Sequence, residues 1–228
     1  KMGMSQAWYF SAYFGSTMVT DSVFSVRCVI SDLLVSPYYV FIGHNESALL
    51  YYNPNALSIG AAVNEDSLFG FDYDNDPFYT QNRLIMALTG TNEKCFIPLD
   101  VSKTDTGCTS EYNFISNGMP VYAFFSCNDS YGSLEVNGRG LGQLFTNESD
   151  CIHYIGSVEE GKNVNVVVNR SNVFESFYYL DMGVFERAVK TLKAMELEVE
   201  HYDNRSVSGS VTAREGDVLF TSIPYDEG

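Results

Sequence analysis

The first hundred residues alternate short apolar runs with turn residues, and four of these runs have the length and composition of β-strands. Strands are predicted over residues 23–30, 37–42, 47–52 and 58–63. The approach to them, residues 7–20, consists of aromatic and small side chains without helical period, so we expect a loop there.

A helix is predicted over residues 78–88. Leu84, Ile85 and Leu88 recur at helical spacing, and Gly90 follows the last of them as a stop signal. The helix interrupts the run of strands and gives the first half of the chain a mixed α and β character.

Residues 72–76 carry carboxylates at alternate positions, as the opening of a calcium-binding loop does. Pro77 stands where that loop needs a glycine, and Arg83 stands where it needs a bidentate glutamate. The preferred interpretation is therefore a helix start, with Asp76 as the N-cap and Pro77 at the first helical position.

From Gly107 onward, short apolar segments and turn residues follow one another at regular intervals. Asn137-Gly138 is the strongest hairpin signal among them, because a tight type I′ turn needs two residues that tolerate positive φ. The pattern predicts a jelly-roll-like β-sandwich. Its strands are expected at residues 121–125, 133–136, 141–145, 152–155, 164–168 and 177–180.

A second helix is predicted near residues 182–195, with Asp181 as its cap. Its apolar stripe consists of Val184, Phe185, Ala188, Leu192 and Met195. Strands over residues 197–202 and 208–213 follow. A last strand begins at residue 218 and reaches a turn at the end of the sequence. Because the sequence stops at this turn, we expect the chain to be truncated from a longer protein.

These elements predict a mainly β fold with a few helices, of the α+β class. Residues 1–106 are expected to form an N-terminal α+β subdomain with a mixed sheet and a capped helix. Residues 107–228 are expected to form a β-sandwich-rich subdomain with one further helix and additional strands.

The composition of the chain argues against some classes of binding partner. Hydrophobic residues make up 45% of the chain, which indicates a globular protein. The net charge of -16 argues against nucleic acid and against anionic lipid, both of which require clustered Lys and Arg. No apolar run reaches the roughly 20 residues of a membrane-spanning helix. Five cysteines without C-x-x-C spacing disfavour zinc and a disulfide framework, and most are expected to be buried.

No residue stands out as catalytic, and neither a metal nor a cofactor is assigned. The three histidines lie in separate elements, and the glycines of residues 137–142 lie on a hairpin tip rather than between a strand and a helix. The sandwich pattern leaves a carbohydrate-binding module open, with Tyr122, Tyr131 and Tyr154 as rings that could stack on sugars, although strand aromatics more often pack in the core. A free-standing glycoside hydrolase using a carboxylate pair is a weaker alternative.

Ordered motifs over most of the chain resemble the extracellular region of YfhO-type bacterial membrane proteins. They are FGST at 14–17, VTDSVF at 19–24, YYNPNAL at 51–57, DPF at 76–78, QN at 81–82, ALTG at 87–90, VNG at 136–138, YIG at 154–156, EG at 160–161, LDM at 180–182 and LFTSIPYDEG at 219–228. The aromatic stretch around Trp8 has no counterpart in this comparison.

The resemblance implies a multi-pass parent of the GT-C glycosyltransferase class in the cell membrane. Such a parent would transfer a sugar from a polyprenyl-phosphate carrier to a cell-envelope polymer such as lipoteichoic acid. The present chain is expected on the extracellular face, joined to the membrane through spanning segments outside it. It would not be catalytic itself, but would bind or position the acceptor glycopolymer or lipid-linked sugar for the parent.

Overall fold

The computed structural model describes residues 2, 15–31, 36–46, 48–69, 71–72, 74–126, 132–144, 152–170, 174–203 and 205–223. The helices are α1 (Met18–Val23), α2 (Glu65–Leu68), α3 (Pro77–Thr89) and α4 (Met182–Lys193). The strands are β1 (Cys28–Ser31), β2 (Val40–His44), β3 (Leu49–Tyr52), β4 (Gly60–Asn64), β5 (Phe96–Pro98), β6 (Ser102–Thr106), β7 (Thr109–Ile115), β8 (Val121–Ser126), β9 (Gly132–Val136), β10 (Arg139–Leu144), β11 (Ile152–Gly156), β12 (Asn163–Val168), β13 (Phe174–Leu180), β14 (Glu198–Tyr202), β15 (Val207–Ser210) and β16 (Asp217–Thr221).

The predicted class, mainly β with a few helices, is confirmed. The chain forms two compact units that interleave along the sequence. Unit 1 comprises residues 1–17, 74–79 and 96–181, and unit 2 comprises residues 18–73, 80–95 and 182–228. The boundary between residues 106 and 107 stays a prediction.

Unit 1 contains two antiparallel sheets. One has five strands in the order β10-β9-β12-β7-β6, and the other has four in the order β11-β8-β13-β5. Alternate residues of both sheets point into one shared core, which confirms the predicted sandwich. The buried core residues are Tyr112, Phe114, Val121, Ala123, Phe125, Leu134, Val136, Ile155, Val164, Val166, Val168 and Phe177.

Phe177 lies at the centre of the aromatic part of this core. Its ring centroid is 5.1 Å from that of Tyr112, 5.6 Å from that of Phe125 and 6.2 Å from that of Phe114. Tyr112 and Phe114 belong to β7, whereas Phe125 and Phe177 belong to the other sheet, so these rings join the two layers. Burying one such ring stabilises a fold by roughly 1.5–3 kcal/mol.

The hairpin between β9 and β10 turns at Asn137 and Gly138, as predicted. Their φ angles are 51° and 77°, and both lie in the left-handed region that a type I′ turn requires. The Asn137 side-chain oxygen also accepts a hydrogen bond of 2.9 Å from the Asn165 N–H, which links the turn to β12.

Both predicted helices are present. The Phe78 N–H donates to Asp76 Oδ1 at 2.8 Å, so Asp76 is the N-cap of α3. Gly90, at a φ of 67°, follows the last residue of α3. In α4 the buried face includes Val189, whereas the predicted Val184 is only partly buried. The buried residues of α4 are Met182, Phe185, Ala188, Val189 and Leu192.

Unit 2 contains a three-stranded sheet in the order β1-β3-β2 and two strand pairs, β16 with β4 and β14 with β15. Strand β4 also bonds on its other side, where the Ala62 N–H donates to the Met195 carbonyl at 2.8 Å. Beyond β16 the Ser222 N–H donates to the Ile59 carbonyl at 2.9 Å. Residues 224–228 lie outside the described residues.

Two expectations for residues 18–30 are wrong. Residues 18–20, expected in a loop, belong to α1, and the strand expected from residue 23 begins at Cys28. Every residue of α1 is buried, the polar Thr20, Asp21 and Ser22 included, so polar and apolar positions do not mark an exposed and a buried face. Of the three cysteines that the structure describes, only Cys95 is buried, and Cys28 and Cys108 are exposed. Cys127 and Cys151 lie outside the described residues.

Candidate functional site

Two of the three predicted sugar-binding tyrosines lie side by side on the four-stranded sheet of unit 1. Tyr154 on β11 is opposite Tyr122 on β8, and their ring centroids are 5.3 Å apart. Tyr178 on β13 is opposite Tyr122 on the other side. The three residues form a row across the sheet, which we call the tyrosine row. Tyr131 lies outside the described residues.

The tyrosine row is on the outer face of the sandwich because side chains alternate along a strand. Val121, Ala123 and Phe125 of β8 point into the sandwich core, so Tyr122 between them points the other way. On β13 the side chain of Phe177 points into the core, so that of the next residue, Tyr178, points to the outer face.

One end of the row is packed under other aromatic rings. The Tyr178 ring lies 4.5 Å from that of Phe78, and Phe96 lies 5.0 Å from Phe78 and 5.7 Å from Tyr122. Phe78 and Phe96 are fully buried, and Tyr122 is only 2% exposed. In this conformation the Tyr122 ring therefore has no face available to a ligand.

Asp76 fixes the phenol group at this end. The Tyr178 hydroxyl donates a hydrogen bond of 2.7 Å to Asp76 Oδ2. Burial raises the pKa of Tyr178, and the hydrogen bond to Asp76 and the charges of Asp76 and Asp74 raise it further. The phenol consequently stays protonated at neutral pH and remains a donor to the carboxylate.

The other end of the row, Tyr154, is not covered by Phe78 or Phe96 in the way that Tyr178 and Tyr122 are. Tyr154 is half-buried, and its hydroxyl lies 2.9 Å from Ser157 Oγ, with which it forms a hydrogen bond. A partly exposed aromatic ring beside two hydroxyl groups can contact both the apolar and the polar parts of a sugar. Tyr154 is thus the member of the row that is suited to a ligand.

His153, next to Tyr154, is directed into the protein rather than into this site. Its ring lies 6.1 Å from that of Phe125 in the sandwich core. Burial lowers its pKa from the ordinary 6.5 to about 4, because the charged imidazolium loses its hydration. At neutral pH the side chain is uncharged.

The sequence identified Tyr122 and Tyr154 as candidate sugar-binding residues. It did not place Asp76 or Tyr178 on the same surface. Asp76 precedes Tyr178 by 102 residues, and the packing of Phe78, in the first turn of α3, against the Tyr178 ring brings the two together. The alternation of residues 177–180 was a signal that Tyr178 faces away from the core, but no sequence signal connected it with the N-cap of α3.

Neither a metal-binding cluster nor a membrane-spanning helix is found among the residues that the structure describes. No group of three or more His, Cys, Asp or Glu residues among them is arranged to hold a metal ion. None of the helices within the described ranges combines the length and hydropathy of a bilayer-spanning segment.

A family model described as bacterial membrane protein YfhO matches residues 1–119 and again residues 111–228. The chain belongs to the YfhO family of bacterial membrane proteins. The resemblance noted from the sequence motifs is thereby confirmed, and association of the YfhO protein with a membrane follows from it. A search of curated proteins finds no match.

Two solved structures with low similarity to this chain give no information about its function. An acetyl xylan esterase, Est2A from Butyrivibrio proteoclasticus, is 12% identical over 37% of this chain, with a TM-score of 0.25. A β-D-glucuronidase from Dictyoglomus thermophilum is 12% identical over 85% of this chain, with a TM-score of 0.21. This chain covers 28% and 25% of those proteins. Both TM-scores are too low to indicate a shared fold.

Proposed function

We propose that this chain is an extracellular domain of a multi-pass YfhO protein of the GT-C glycosyltransferase class, and that it positions the acceptor of glycosylation. The parent would transfer a sugar from a polyprenyl-phosphate carrier to an envelope polymer such as lipoteichoic acid. The family match across both halves of the chain supports the membrane-bound parent. The partly exposed Tyr154, with its hydroxyl beside that of Ser157, carries the proposal of acceptor binding.

Tyr154 has the chemistry that a sugar contact requires. The exposed part of its ring would pack against the C–H face of a sugar, and its hydroxyl and that of Ser157 would bond to sugar hydroxyl groups. A single aromatic platform of this kind gives weak binding. A polymeric acceptor presents the same unit many times, so weak contact is sufficient to keep it near the enzyme.

The charge of the chain restricts which part of the acceptor is bound. With a net charge of -16, the surface repels the phosphate groups of a polyanionic polymer. Asp74 and Asp76 lie near the buried end of the tyrosine row and add to this effect in unit 1. The contact would therefore be with neutral glycosyl units.

A chemical-shift titration tests the contact. Neutral cell-wall oligosaccharides added to the isotope-labelled chain should shift the signals of residues around Tyr154 and Ser157, and Tyr154→Ala should abolish these shifts. Tyr202→Ala is the matched control, because Tyr202 is an exposed strand tyrosine in unit 2. Absence of shifts in the original chain, or their persistence in Tyr154→Ala, would count against acceptor binding at this site.

A turnover assay tests the non-catalytic role. The isolated chain, incubated with polyprenyl-phosphate sugars and an acceptor polymer, should transfer no sugar. Hydrolysis of chromogenic glycosides by the same sample would instead support the free-standing hydrolase. A carbohydrate-binding module that acts outside any transferase would show the chemical shifts, but its removal from the parent would leave glycosylation intact.

A further inference from the structure

The three-stranded sheet of unit 2 exposes an unusually apolar face. Ile30 on β1 is 73% exposed and Val40 on β2 is 50% exposed. On the opposite face Val29 and Tyr51 are buried. An antiparallel sheet with one buried face normally places polar side chains on the other, so apolar residues on both faces indicate that the outer face has a partner.

Strand register confirms that these exposed residues share one face. Ile30 pairs with Leu50, and Val40 pairs with Tyr52, two residues further along the central strand β3. We call the surface formed by Ile30, Val40, Leu50 and Tyr52 the apolar sheet face. The edge strand β2 also exposes Ile42, whereas Phe41 pairs with Tyr51 and lies on the opposite face.

The segment that builds this face has little charge. Between residues 24 and 58 the only charged side chains are Arg27, Asp32 and Glu46, in a chain with 13 Lys and Arg and 29 Asp and Glu. The acidic groups that give the chain its net charge of -16 are therefore concentrated in the rest of the sequence. A surface of this kind can approach an apolar phase at a low cost in charge desolvation.

We propose that the apolar sheet face contacts the interfacial region of a bilayer of zwitterionic lipid. The chain belongs to a family of membrane proteins, so a lipid bilayer is the apolar phase that it would encounter. Aliphatic side chains beside a tyrosine suit the boundary between acyl chains and headgroups. The acidic remainder of the chain is repelled by anionic headgroups, so the preferred surface is zwitterionic. This inference rests on the family membership and is independent of the proposed sugar transfer.

Vesicle flotation tests the contact. The chain should float with phosphatidylcholine vesicles, and it should float less as phosphatidylglycerol replaces phosphatidylcholine. Ile30→Glu should reduce partitioning at least about tenfold, because it removes an aliphatic group that the bilayer would bury and adds a charge at the interface. Phe174→Glu is the matched control, because Phe174 is an apolar strand residue of unit 1 that is 58% exposed. It should float like the original chain.

Sedimentation equilibrium without lipid separates lipid contact from self-association. The original chain and Ile30→Glu should both sediment as monomers, and thermal unfolding should show that both variants are folded. A dimer that Ile30→Glu dissociates would assign the apolar sheet face to a second copy and overturn the proposal. Failure of the original chain to float, or equal flotation of Ile30→Glu, would overturn it as well.

Discussion

Asp76 and Tyr178 are joined by a hydrogen bond of 2.7 Å from the phenol hydroxyl to Oδ2 of the carboxylate. The other carboxylate oxygen, Oδ1, accepts the N–H of Phe78 at 2.8 Å and caps helix α3. One side chain thus fixes both the start of a helix and the buried end of the tyrosine row. This arrangement allows the two functions of Asp76 to be separated by substitution.

Asp76→Ala should lower the free energy of unfolding by about 2–3 kcal/mol, since it removes a helix cap and a charge-assisted hydrogen bond. Asp76→Asn keeps a capping oxygen and should cost less. Tyr178→Phe removes only the phenol hydroxyl and should cost about 1 kcal/mol. Urea unfolding of the two single variants and the double variant Asp76→Ala/Tyr178→Phe measures the coupling. Additive losses would contradict an energetic link between the two residues.

Phe177→Ala should lower the free energy of unfolding by about 3–5 kcal/mol, because it leaves a cavity among the rings of the sandwich core. Phe174→Ala is the internal control, because the same residue type on the same strand is exposed there. It should cost less than about 1 kcal/mol. Similar losses for the two variants in urea unfolding would show that the core is not organised around Phe177.

His153 should make the stability of the chain depend on pH. Its folded pKa of about 4 lies below the ordinary value of 6.5, so the unfolded chain takes up the proton first as the pH falls. The stability associated with the neutral ring is complete above about pH 6.5 and is lost as the pH falls toward 4. At pH 4.5 this loss should reach about 2–3 kcal/mol relative to pH 7.

The measurement compares urea unfolding of the original chain with that of His153→Gln at both pH values. Carboxylate titration affects both proteins, so the difference between them isolates the imidazole. An NMR titration adds a direct readout, in which the His153 ring signals of the folded protein should stay unchanged down to about pH 5. A midpoint near 6.5 would show that the ring is hydrated in the folded protein.

The sequence predicted those elements whose signals are local. The Asn137-Gly138 turn is specified by two residues that tolerate positive φ, and α3 is specified by Asp76, Pro77 and an apolar period. The α1 helix was missed because all of its residues are buried. Strand β6 was missed for the opposite reason, since all of its residues are exposed and polar and show no alternation.

Pairings between distant segments could not be predicted in the same way. Strand β16 pairs with β4, which precedes it by more than a hundred residues, and no single segment encodes that choice. The same holds for the candidate site, because Tyr122 and Tyr154 were selected as individual aromatic residues. Their adjacency, and the burial of Tyr122 by Phe96, follow from the sheet order and the packing of unit 1.

Deletion of this domain from the full-length YfhO protein tests the central claim most directly. The shortened protein should still reach the membrane, as membrane fractionation and immunoblotting would verify, and glycosylation of the envelope polymer should be lost. A full-length protein carrying Tyr202→Ala serves as the control and should keep its activity. Undiminished glycosylation by the shortened protein would contradict the proposal that this domain positions the acceptor.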